Sequence, residues 1–400
     1  MHPADEIRGA KSKILFKKRI ILAVTGSIAA VETIKLAREL IRHGADVYPV
    51  MSPSATKIIH PDSLWYATGK KTIIDLTCDT EHVSFCGKVE KPVDLLLICP
   101  CTANTISKIA RGIDDTSVTT FATTAIGSGI PILIVPAMHI SMYDHKIVQK
   151  NIEKCKKIGI KFIEPLIEKN IAKMVEIDEI VSNVIREIGK KDLVKNKILI
   201  IGGPTAEKID DIRVITNRSS GKTALSLVKN AFFRGADVEL WYGLGKETIP
   251  NYIKKVNFES INDLEKLFIK RNLKEFDVII LCAALSDYIQ KKQKGKIPSG
   301  KEKFVLEMFP ATKIISNIRK KAPKSKIIGF KVEENKTNLK EKAMNLLKKN
   351  NLDFVVANLI AGFNYDQNEI WIFDKKGKSI YKKGKKEKLA DYILDIINQE

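Results

Sequence analysis

The fold of the second half is decided by one stretch, Ile198-Leu199-Ile200-Ile201-Gly202-Gly203-Pro204-Thr205, an apolar run that ends in a glycine-bearing turn. An amphipathic segment at 225–234 follows it, and Gly235-Ala236-Asp237-Val238 then leads into another apolar run. A strand, a loop, a helix and a second strand form a β-α-β unit, whose parallel strands are joined by a right-handed crossover. We therefore predict an open parallel sheet with a ligand-binding loop at the carboxyl end of its first strand.

The first half has the same arrangement. The apolar run 20–24 precedes the small-residue turn Gly26-Ser27-Ile28-Ala29-Ala30, an amphipathic segment at 31–43 and the turn Gly44-Ala45-Asp46-Val47. The glycine after each helix suits the left-handed conformation that commonly ends helices. Apolar runs alternate with helical patterns in both halves, which is typical of parallel sheets covered on both faces. The polar connector 189–196 lies between the halves, so we predict an α/β chain of two domains, 1–190 and 191–400.

The other elements are predicted from the period of the apolar residues. In the first half we expect strands at 46–51, 95–99 and 132–135, helices at 103–111, 146–158 and 177–188, and a charged arm, perhaps helical, at 1–18. In the second half we expect strands at 197–201, 237–241, 277–282, 327–332, 354–357 and 369–373, and helices at 261–270, 311–320, 339–349 and 388–397. The polar segment 287–303, rich in Gly and Pro, predicts a flexible loop that can act as a lid.

Length and composition describe a globular chain. Its 400 residues suffice for two domains with their own cores, and 44% hydrophobic with 29% charged residues is ordinary for such proteins. No apolar run approaches the length of a transmembrane helix, and the N-terminus lacks a signal-peptide pattern, so we expect a cytoplasmic protein. The six cysteines show no zinc-site spacing, which favours reduced thiols, with Cys99 and Cys282 in the core.

The net charge of +21 raises the question of nucleic-acid binding. The lysines, for example those at 382–388, follow the pattern of exposed helix faces, and no stacking aromatics are interleaved with them. We therefore expect no nucleic-acid partner and no membrane partner. The charge would still attract phosphorylated substrates.

A polar loop precedes the first helix of the second half. Asn217-Arg218-Ser219-Ser220-Gly221-Lys222-Thr223 opens this helix, so its backbone N–H groups and Lys222 suit an anion such as a phosphate. It is not a Walker A loop, because the first glycine of that motif would fall at Thr216. A capped helix start with a solvated lysine is the alternative interpretation.

Three motifs follow strands in the first half: Gly26-Ser27-Ile28-Ala29-Ala30, Pro100-Cys101-Thr102-Ala103-Asn104-Thr105 and Pro136-Ala137-Met138-His139-Ile140-Ser141-Met142. Together they resemble the flavin-dependent cysteine decarboxylases, specifically the phosphopantothenoylcysteine decarboxylase family. The resemblance implies a flavodoxin-like fold, bound flavin mononucleotide (FMN) and assembly into trimers or their multiples.

The resemblance also implies roles for individual residues. His82, in the loop predicted ahead of the strand at 95–99, would be the catalytic histidine, and Asn104 would bind the substrate carboxylate. Taken alone, a histidine in a loop such as His82 is in most cases solvated, Asn104 could be a helix-entry residue and Met138 could belong to the core. The ordered set of three strand-end motifs is what favours the functional interpretation. The cofactor would be held by Gly26, Ser27, Ser52, Thr102, Ala103 and Met138.

Two positions depart from the family's pattern. The family usually has Asn after Pro-Ala-Met, and this chain has His139. Bacterial members also carry a cysteine, in a flap after this motif, that protonates the enethiol intermediate, whereas the segment 164–174 contains none. Cys155 lies upstream in a predicted helix, so the role is not transferred to it. The acid of the reductive step is therefore unassigned.

The second half resembles phosphopantothenate–cysteine ligase, which implies a Rossmann-like domain that forms dimers. The match in the long first loop comprises Gly203-Pro204-Thr205, Asp210 to Arg213 and Asn217 to Lys222. The later matching residues are Ala283-Ala284-Leu285-Ser286-Asp287-Tyr288, Lys296-Ile297-Pro298-Ser299, Gly329-Phe330-Lys331-Val332-Glu333, Ala357-Asn358 and Gly362-Phe363-Asn364. The resemblance implies that CTP and Mg²⁺ take part: a carboxylate attacks the α-phosphate, and the amine of cysteine then displaces CMP from the acyl-cytidylate.

The ligase resemblance assigns several residues. Asn217 would hold the acyl intermediate, Lys296 would steady the triphosphate and Phe330 would pack near the cytosine. Asp287 would bind the nucleotide or magnesium, and Ala283 and Ala284 would complete the nucleotide site. The family's two nucleotide-binding lysines do not align cleanly, so Lys342, Lys348 and Lys349 remain alternatives.

The residues leave two alternative functions to be considered. A decarboxylase of peptidyl cysteines would leave the second half without a purpose. A nicotinamide-binding reductase would need the G-x-G-x-x-G glycines and an acidic residue after the second strand, and neither is evident here. Bound flavin mononucleotide, released on denaturation, would support either of the two decarboxylase functions.

Overall fold

The chain divides into two units, Met1–Lys190 and Lys191–Glu400. The computed structural model describes residues 2–168, 170–300, 303–360 and 366–398. The sequence motif Gly362-Phe363-Asn364 lies outside these residues. Each unit is built around its own parallel sheet and has its own buried core.

The first unit contains a five-stranded parallel sheet in the order β2-β1-β3-β4-β6. Every residue from Ile20 to Val24 is fully buried, because helices cover both faces of the sheet. A strand buried on both faces reads as a continuous apolar run, which is why four strands of this sheet were predicted correctly, whereas the two-residue edge strand Lys161–Phe162 was not predicted. The strands of this unit are β1 (Arg19–Val24), β2 (Asp46–Met51), β3 (Leu95–Cys101), β4 (Ile132–Pro136), β5 (Met138–His139), β6 (Lys161–Phe162), β7 (Leu166–Glu168) and β8 (Ile171–Lys173).

This strand order is that of flavodoxin-like folds, which confirms the predicted fold class of the unit. The chain runs from β1 outward to β2 and then returns past β1 to β3. The loops after β1 and β3 therefore diverge to opposite faces of the sheet and leave a crevice between them. Ligands of open α/β sheets bind at such a switch point.

The helices of the first unit fill the connections between the strands. A 3-10 turn at Ile28–Glu32 precedes α2, so the helix predicted at 31–43 begins two residues later. The N-terminal arm is helical only at Pro3–Glu6, and Leu15 of this arm is fully buried. The helices are α1 (Pro3–Glu6), α2 (Thr33–Arg42), α3 (Pro61–Thr68), α4 (Glu81–Cys86), α5 (Ala103–Arg111), α6 (Ser117–Ser128), α7 (Ile140–Tyr143), α8 (Lys146–Lys157) and α9 (Ile177–Ile188).

The second unit contains an eight-stranded sheet in the order β13-β12-β9-β14-β17-β18-β19-β20. Its first six strands are parallel and follow the order 3-2-1-4-5-6 of Rossmann folds, while β19 and β20 add an antiparallel edge. The strands of this unit are β9 (Lys197–Gly202), β10 (Ala206–Lys208), β11 (Val214–Thr216), β12 (Asp237–Tyr242), β13 (Lys254–Asn257), β14 (Val278–Leu281), β15 (Tyr288–Ile289), β16 (Phe309–Pro310), β17 (Lys326–Glu333), β18 (Phe354–Leu359), β19 (Gln367–Asp374) and β20 (Ser379–Lys385).

The two faces of this sheet pack against different helices. Ile198 and Ile200 of β9 face the layer formed by α10 and α14, and Leu199 and Ile201 face the layer formed by α11, α12 and α13. Gly235 ends α10 with φ of +92°, as the sequence predicted. The helices are α10 (Lys222–Phe233), α11 (Ile261–Lys270), α12 (Ile314–Lys321), α13 (Leu339–Lys349) and α14 (Lys386–Asp395).

Three predictions for the second unit were wrong in part. The loop after β9 contains the antiparallel pair β10 and β11. The helix predicted at 311–320 begins at Ile314, because the backbone N–H of Ala311 bonds to Asp287 and β16 pairs with β15. The lysines at 382–388 do not form a helix face, since those up to Lys385 lie on the edge strand β20, which pairs with β19.

Candidate active sites

The loops after β1 and β3 meet through the hydroxyl of Thr25, which is fully buried. This hydroxyl donates a hydrogen bond to the carbonyl of Pro100 (2.8 Å) and accepts one from the backbone N–H of Thr102 (3.1 Å). The loop after β2 joins them, because the N–H of Ser52 donates to the carbonyl of Val24 (3.0 Å). The structure thus brings the predicted residues Gly26, Ser27, Ser52 and Thr102 to one edge of the sheet.

Two features of this edge suit an anionic ligand. A Cβ atom at Gly26 would lie 2.5 Å from Cβ of Ser54, so only glycine lets these loops approach so closely. The hydroxyl of Ser52 is buried and has no hydrogen-bond partner in the structure. A buried hydroxyl without a partner is costly, and a phosphate oxygen is a partner that would satisfy it. The residues present therefore fit the phosphate of FMN.

Helix α5 begins directly after β3. The side chain of Thr102 caps it by accepting a hydrogen bond from the N–H of Thr105 (3.4 Å). Ala103 is buried, while Asn104 is exposed, and its amide forms no hydrogen bond within the described part of the chain. Asn104 is therefore available to a ligand at the carboxyl edge of the sheet.

The motif after β4 is held against the other loops. The N–H of Ala137 donates to the carbonyl of Cys101 (3.1 Å), and Met138 is buried. His139 is exposed and caps α7, with its Nδ1 2.6 Å from the hydroxyl of Ser141. Because His139 pairs with Ile171 of β8, this motif and the flap formed by β7 and β8 belong to one small sheet, β5-β8-β7.

The cysteine nearest to the flap in sequence lies in the core. Cys155 on α8 is fully buried, and burial raises its pKa to about 11. A thiol enclosed in this way cannot reach an acceptor in the crevice, because a general acid must come within hydrogen-bond distance of it.

His82 does not lie in a loop, as the sequence suggested, but is the second residue of α4. The turn before this helix is fixed by Glu81, whose carboxylate accepts hydrogen bonds from the N–H and hydroxyl of Thr77 (3.0 and 2.7 Å). Nδ1 of His82 is buried and has no hydrogen-bond partner. The structure does not join His82 to the loops at the strand ends by any hydrogen bond between described residues.

The second unit has an analogous crevice at its own switch point, between β9 and β14. The N–H of Ala284 donates a hydrogen bond to the carbonyl of Gly203 (3.0 Å), and the N–H of Thr205 donates one to the carbonyl of Ala284 (3.2 Å). The side-chain amide of Asn217 donates to the same carbonyl (2.9 Å). The predicted residues Asn217, Ala283 and Ala284 therefore come together.

A cavity of about 110 Å³ opens beside this crevice. One wall is the start of α10, where Gly221 has φ of +87° and any Cβ would lie 2.1 Å from the hydroxyl of Tyr242. Cys282, predicted to be core, is only partly buried and lines the cavity. The other lining residues include Ala283, Ala284, Phe330, Asn358, Asn368 and Lys386.

Asp287 and Lys296 lie away from the lining of this cavity. The carboxylate of Asp287 is exposed and forms an ion pair with Lys313 (2.5 Å). Lys296 is exposed, and its ammonium group forms no ion pair among residues 2–168, 170–300, 303–360 and 366–398. The structure thus places Phe330 in the cavity wall and joins Asn217 to Ala284 of that wall, but it does not bring Asp287 or Lys296 to the cavity.

The segment that carries Lys296 is held in place by Asp210. The buried carboxylate of Asp210 accepts hydrogen bonds from the N–H groups of Arg213 (2.6 Å), Ile212 (2.8 Å) and Ile297 (3.1 Å). These bonds, first of all that from Arg213, lower the pKa of Asp210 to about 2. The part of the predicted lid around Ile297 is therefore anchored, whereas residues 301–302 lie outside the described residues.

Comparison with known proteins covers both units. The sequence model of the family "Flavoprotein" matches residues 9–189, and that of the "DNA/pantothenate metabolism flavoprotein C-terminal domain" matches residues 193–400. The coenzyme A biosynthesis bifunctional protein CoaBC of Thermococcus kodakarensis is 44% identical over 100% of this chain and 99% of its own length. The chain belongs to the CoaBC family.

Further relatives extend this result. The CoaBC protein of Methanocaldococcus jannaschii is 39% identical over 94% of this chain and 92% of its own length. The CoaBC protein of Escherichia coli K12 is 29% identical over 95% of this chain and 96% of its own length. A crystal structure of the C-terminal domain of CoaBC aligns with 52% of this chain and 96% of that domain, at 30% identity and a TM-score of 0.45.

Two residues of the CoaBC ligase-unit cavity were missed from the sequence. Asn368 lies on β19 and Lys386 begins α14, and both line the cavity. Neither belongs to a glycine-rich loop or a strand end of the parallel sheet, so no sequence signal marked them.

None of the helices in the described chain has the length and apolar character needed to cross a membrane.

Proposed function

We propose that the second unit ligates cysteine to 4'-phosphopantothenate with CTP, through an acyl-cytidylate, and that the first unit decarboxylates the product, 4'-phosphopantothenoylcysteine, to 4'-phosphopantetheine with FMN. The chain is a bifunctional enzyme of coenzyme A biosynthesis. One observation carries the proposal: a 44% identical CoaBC protein covers this chain from end to end, including both switch-point crevices.

In the first unit, the loops after β1, β2 and β3 would bind the cofactor. Ser27 and the unpaired hydroxyl of Ser52 would hold its phosphate beside Gly26, and Thr102, Ala103 and Met138 would contact its ring system. When bound, FMN supplies the oxidant for the cysteine thiol, because a carboxylate leaves as CO₂ only when an electron sink lies next to it.

The substrate would be positioned by residues around this crevice. The exposed amide of Asn104 would donate a hydrogen bond to the substrate carboxylate, since a neutral donor does not repel it. His82 would act as the catalytic histidine. Its unpaired Nδ1 supports this role, because a buried ring nitrogen without a protein partner is available to a substrate or to a group from a second copy of the chain.

In the second unit, two negatively charged reactants must meet, so their charges have to be screened. The side chain of Asn217 would orient the reacting acyl group, since its amide is fixed to the carbonyl of Ala284. Phe330 would pack against the base, with Ala283 and Ala284 completing the cavity wall. Lys296 and Asp287 would reach the nucleotide only if the described residues 287–300 moved toward the cavity.

A preformed magnesium site is not evident in the described residues, which contain no group of three or more His, Cys, Asp or Glu side chains suited to a metal ion. Asp287 is already neutralised by Lys313. Mg²⁺ is often held mainly by substrate phosphates and water, with one or two carboxylates. We infer that Mg²⁺ would arrive with the nucleotide, and that Asp287 would bind it only if Lys313 releases the carboxylate.

We further infer homo-oligomers, trimers through the first unit and dimers through the second. Exposed apolar side chains support both. The first unit exposes Ile28 and Tyr66, and the second exposes Ile212 and Val305, each by more than half of its surface. Light scattering of the full chain and of each unit expressed separately would test this assignment.

The test of the function uses the purified chain with phosphopantothenate, cysteine, Mg²⁺ and either CTP or ATP, while pyrophosphate and CO₂ are measured. We expect pyrophosphate with CTP, CO₂ only after ligation, and FMN released on denaturation. Absence of pyrophosphate with both nucleotides would exclude the ligase function. Absence of flavin and CO₂ would exclude the decarboxylase function independently.

A further inference from the structure

The cavity of the second unit is enclosed by two helices that are far apart in sequence. The first turn of α10 supplies Lys222, and the first residue of α14 supplies Lys386. The helices are joined by the amide of Asn230, which donates to the carbonyl of Glu387 (2.6 Å), so the start of α14 is fixed beside α10. Two lysines thus border a cavity that is also lined by Phe330, Asn358 and Asn368.

These two lysines differ in their partners. The ammonium group of Lys222 forms an ion pair with the carboxylate of Asp366 (2.8 Å). The backbone N–H of Lys386 donates to the carbonyl of the same Asp366 (2.8 Å), but its ammonium group forms neither an ion pair nor a hydrogen bond within the described residues. Of the two lysines that line the cavity, Lys222 is paired with a carboxylate and Lys386 has no ion-pair partner among the described residues.

The surroundings of Lys386 are unfavourable for a cation. Burial lowers the pKa of Lys386, and the nearby charge of Lys222 lowers it further, while Asp366 and Glu247 oppose the shift without coming within ion-pair distance. A cation that is partly desolvated and close to a second cation is stabilised by any anion that enters between them. Leu389, Ala390 and Ile393 form an apolar part of the cavity wall, and charges beside apolar surface are screened less than charges in bulk water.

We propose that Lys386 binds a phosphate group of the nucleotide substrate of the ligase reaction. The anion would be part of a nucleoside polyphosphate, because the cavity joins a cationic rim to the aromatic side chain of Phe330, and a nucleotide presents both a phosphate chain and a planar base. The inference rests on the proposed ligase function and adds Lys386 to the cations assigned from the sequence, where Lys296 was expected to steady the triphosphate and Lys222 to suit an anion.

The test measures binding of CTP with Mg²⁺, and of uncharged cytidine, to the full chain by calorimetry. Lys386→Met should weaken CTP binding about 10- to 150-fold, the range for losing one hydrogen bond to a charged group, and should leave cytidine binding unchanged. Lys386→Arg should stay within a few-fold of the original protein, since it keeps the charge. Lys388→Met is the matched control, because Lys388 is exposed on the same helix and does not line the cavity.

The outcomes separate the two proposals. If the original chain binds CTP and Lys386→Met binds it equally well, Lys386 does not contact the phosphates. The inference about Lys386 then fails, while the ligase proposal is unaffected. Equal losses for CTP and cytidine would also overturn it, because they would indicate a damaged cavity. If the original chain binds no nucleotide, the ligase proposal fails and the inference falls with it. Thermal unfolding of the second unit, measured on every variant, reports whether that unit has folded.

Discussion

The clearest prediction concerns Ser52→Ala, which should have opposite effects on the cofactor-free protein and on cofactor binding. The Ser52 side chain is 7% exposed and its hydroxyl has no partner. An unsatisfied buried polar group costs about 1–3 kcal/mol. Replacing it by a methyl group removes this cost and leaves almost no cavity. The apoprotein should therefore gain about 1 kcal/mol, or roughly 2–4 °C in Tm for a unit of this size.

Cofactor binding should change in the other direction. A hydrogen bond to a charged group contributes about 1.5–3 kcal/mol, so FMN should bind Ser52→Ala about 10- to 150-fold more weakly. Calorimetric unfolding of the apoprotein and titration of flavin fluorescence measure the two quantities separately. The transition of the first unit is recognised because FMN raises its Tm.

Ser54→Ala is the control for stability. Ser54 lies in the same loop with an exposed side chain, so the free energy of unfolding of this variant should stay within about 0.5 kcal/mol of the original value. A Ser52→Ala apoprotein that unfolds more easily would show that the hydroxyl has a partner after all. An unchanged affinity for FMN would show that the phosphate binds elsewhere.

Asn104→Asp should reduce CO₂ release at least about tenfold while pyrophosphate release continues, because a second carboxylate would face that of the substrate; unchanged CO₂ release would remove Asn104 from the site. His82→Asn should retain FMN but lose decarboxylation by about 100-fold or more, as expected for a group that transfers protons, and a fully active variant would make His82 structural. Asp210→Asn should accelerate hydrogen exchange at the N–H of Ile297, which loses an acceptor with full charge. Because the pKa of Asp210 is lowered to about 2, the stabilisation that its carboxylate gives is complete above the ordinary pKa of 3.8 and is lost as the pH falls from 3.8 toward 2. Hydrogen exchange at Ile297 that does not respond to the Asp210→Asn substitution would contradict the assignment.

The parallel sheets could be predicted because their strands are buried on both faces. β1 and β9 are continuous apolar runs with a glycine-bearing turn at the carboxyl end, and this combination also located both crevices. The edge strand β20 could not be predicted in the same way. Its side chains from Ser379 to Lys385 are half-buried only at alternate positions and include three lysines, so neither face of the strand is strongly apolar. A strand of this kind and a solvated helix look alike in sequence.

The cavity residue Lys386 could not be predicted for a different reason. Motifs at strand ends are found because the topology of a parallel sheet brings them to one edge. Lys386 reaches the cavity through packing of α14 on α10, fixed in part by the bond from Asn230 to Glu387. Such contacts depend on which helices share a face of the sheet, and the sequence does not specify this by spacing alone.

Buried polar atoms without partners provide evidence that is independent of the sequence motifs. In the described chain these atoms are the Ser52 hydroxyl, Nδ1 of His82 and Oε1 of Gln290. Two of the three belong to residues that the decarboxylase resemblance had already assigned to the cofactor and to catalysis. Folding disfavours such atoms, because each loses its hydrogen bonds to water and gains none in return. A ligand or a second copy of the chain would supply the missing partners and so offset that cost. The unpaired atoms and the sequence motifs point to the same residues, which supports the proposed roles of Ser52 and His82 more strongly than either motif does alone.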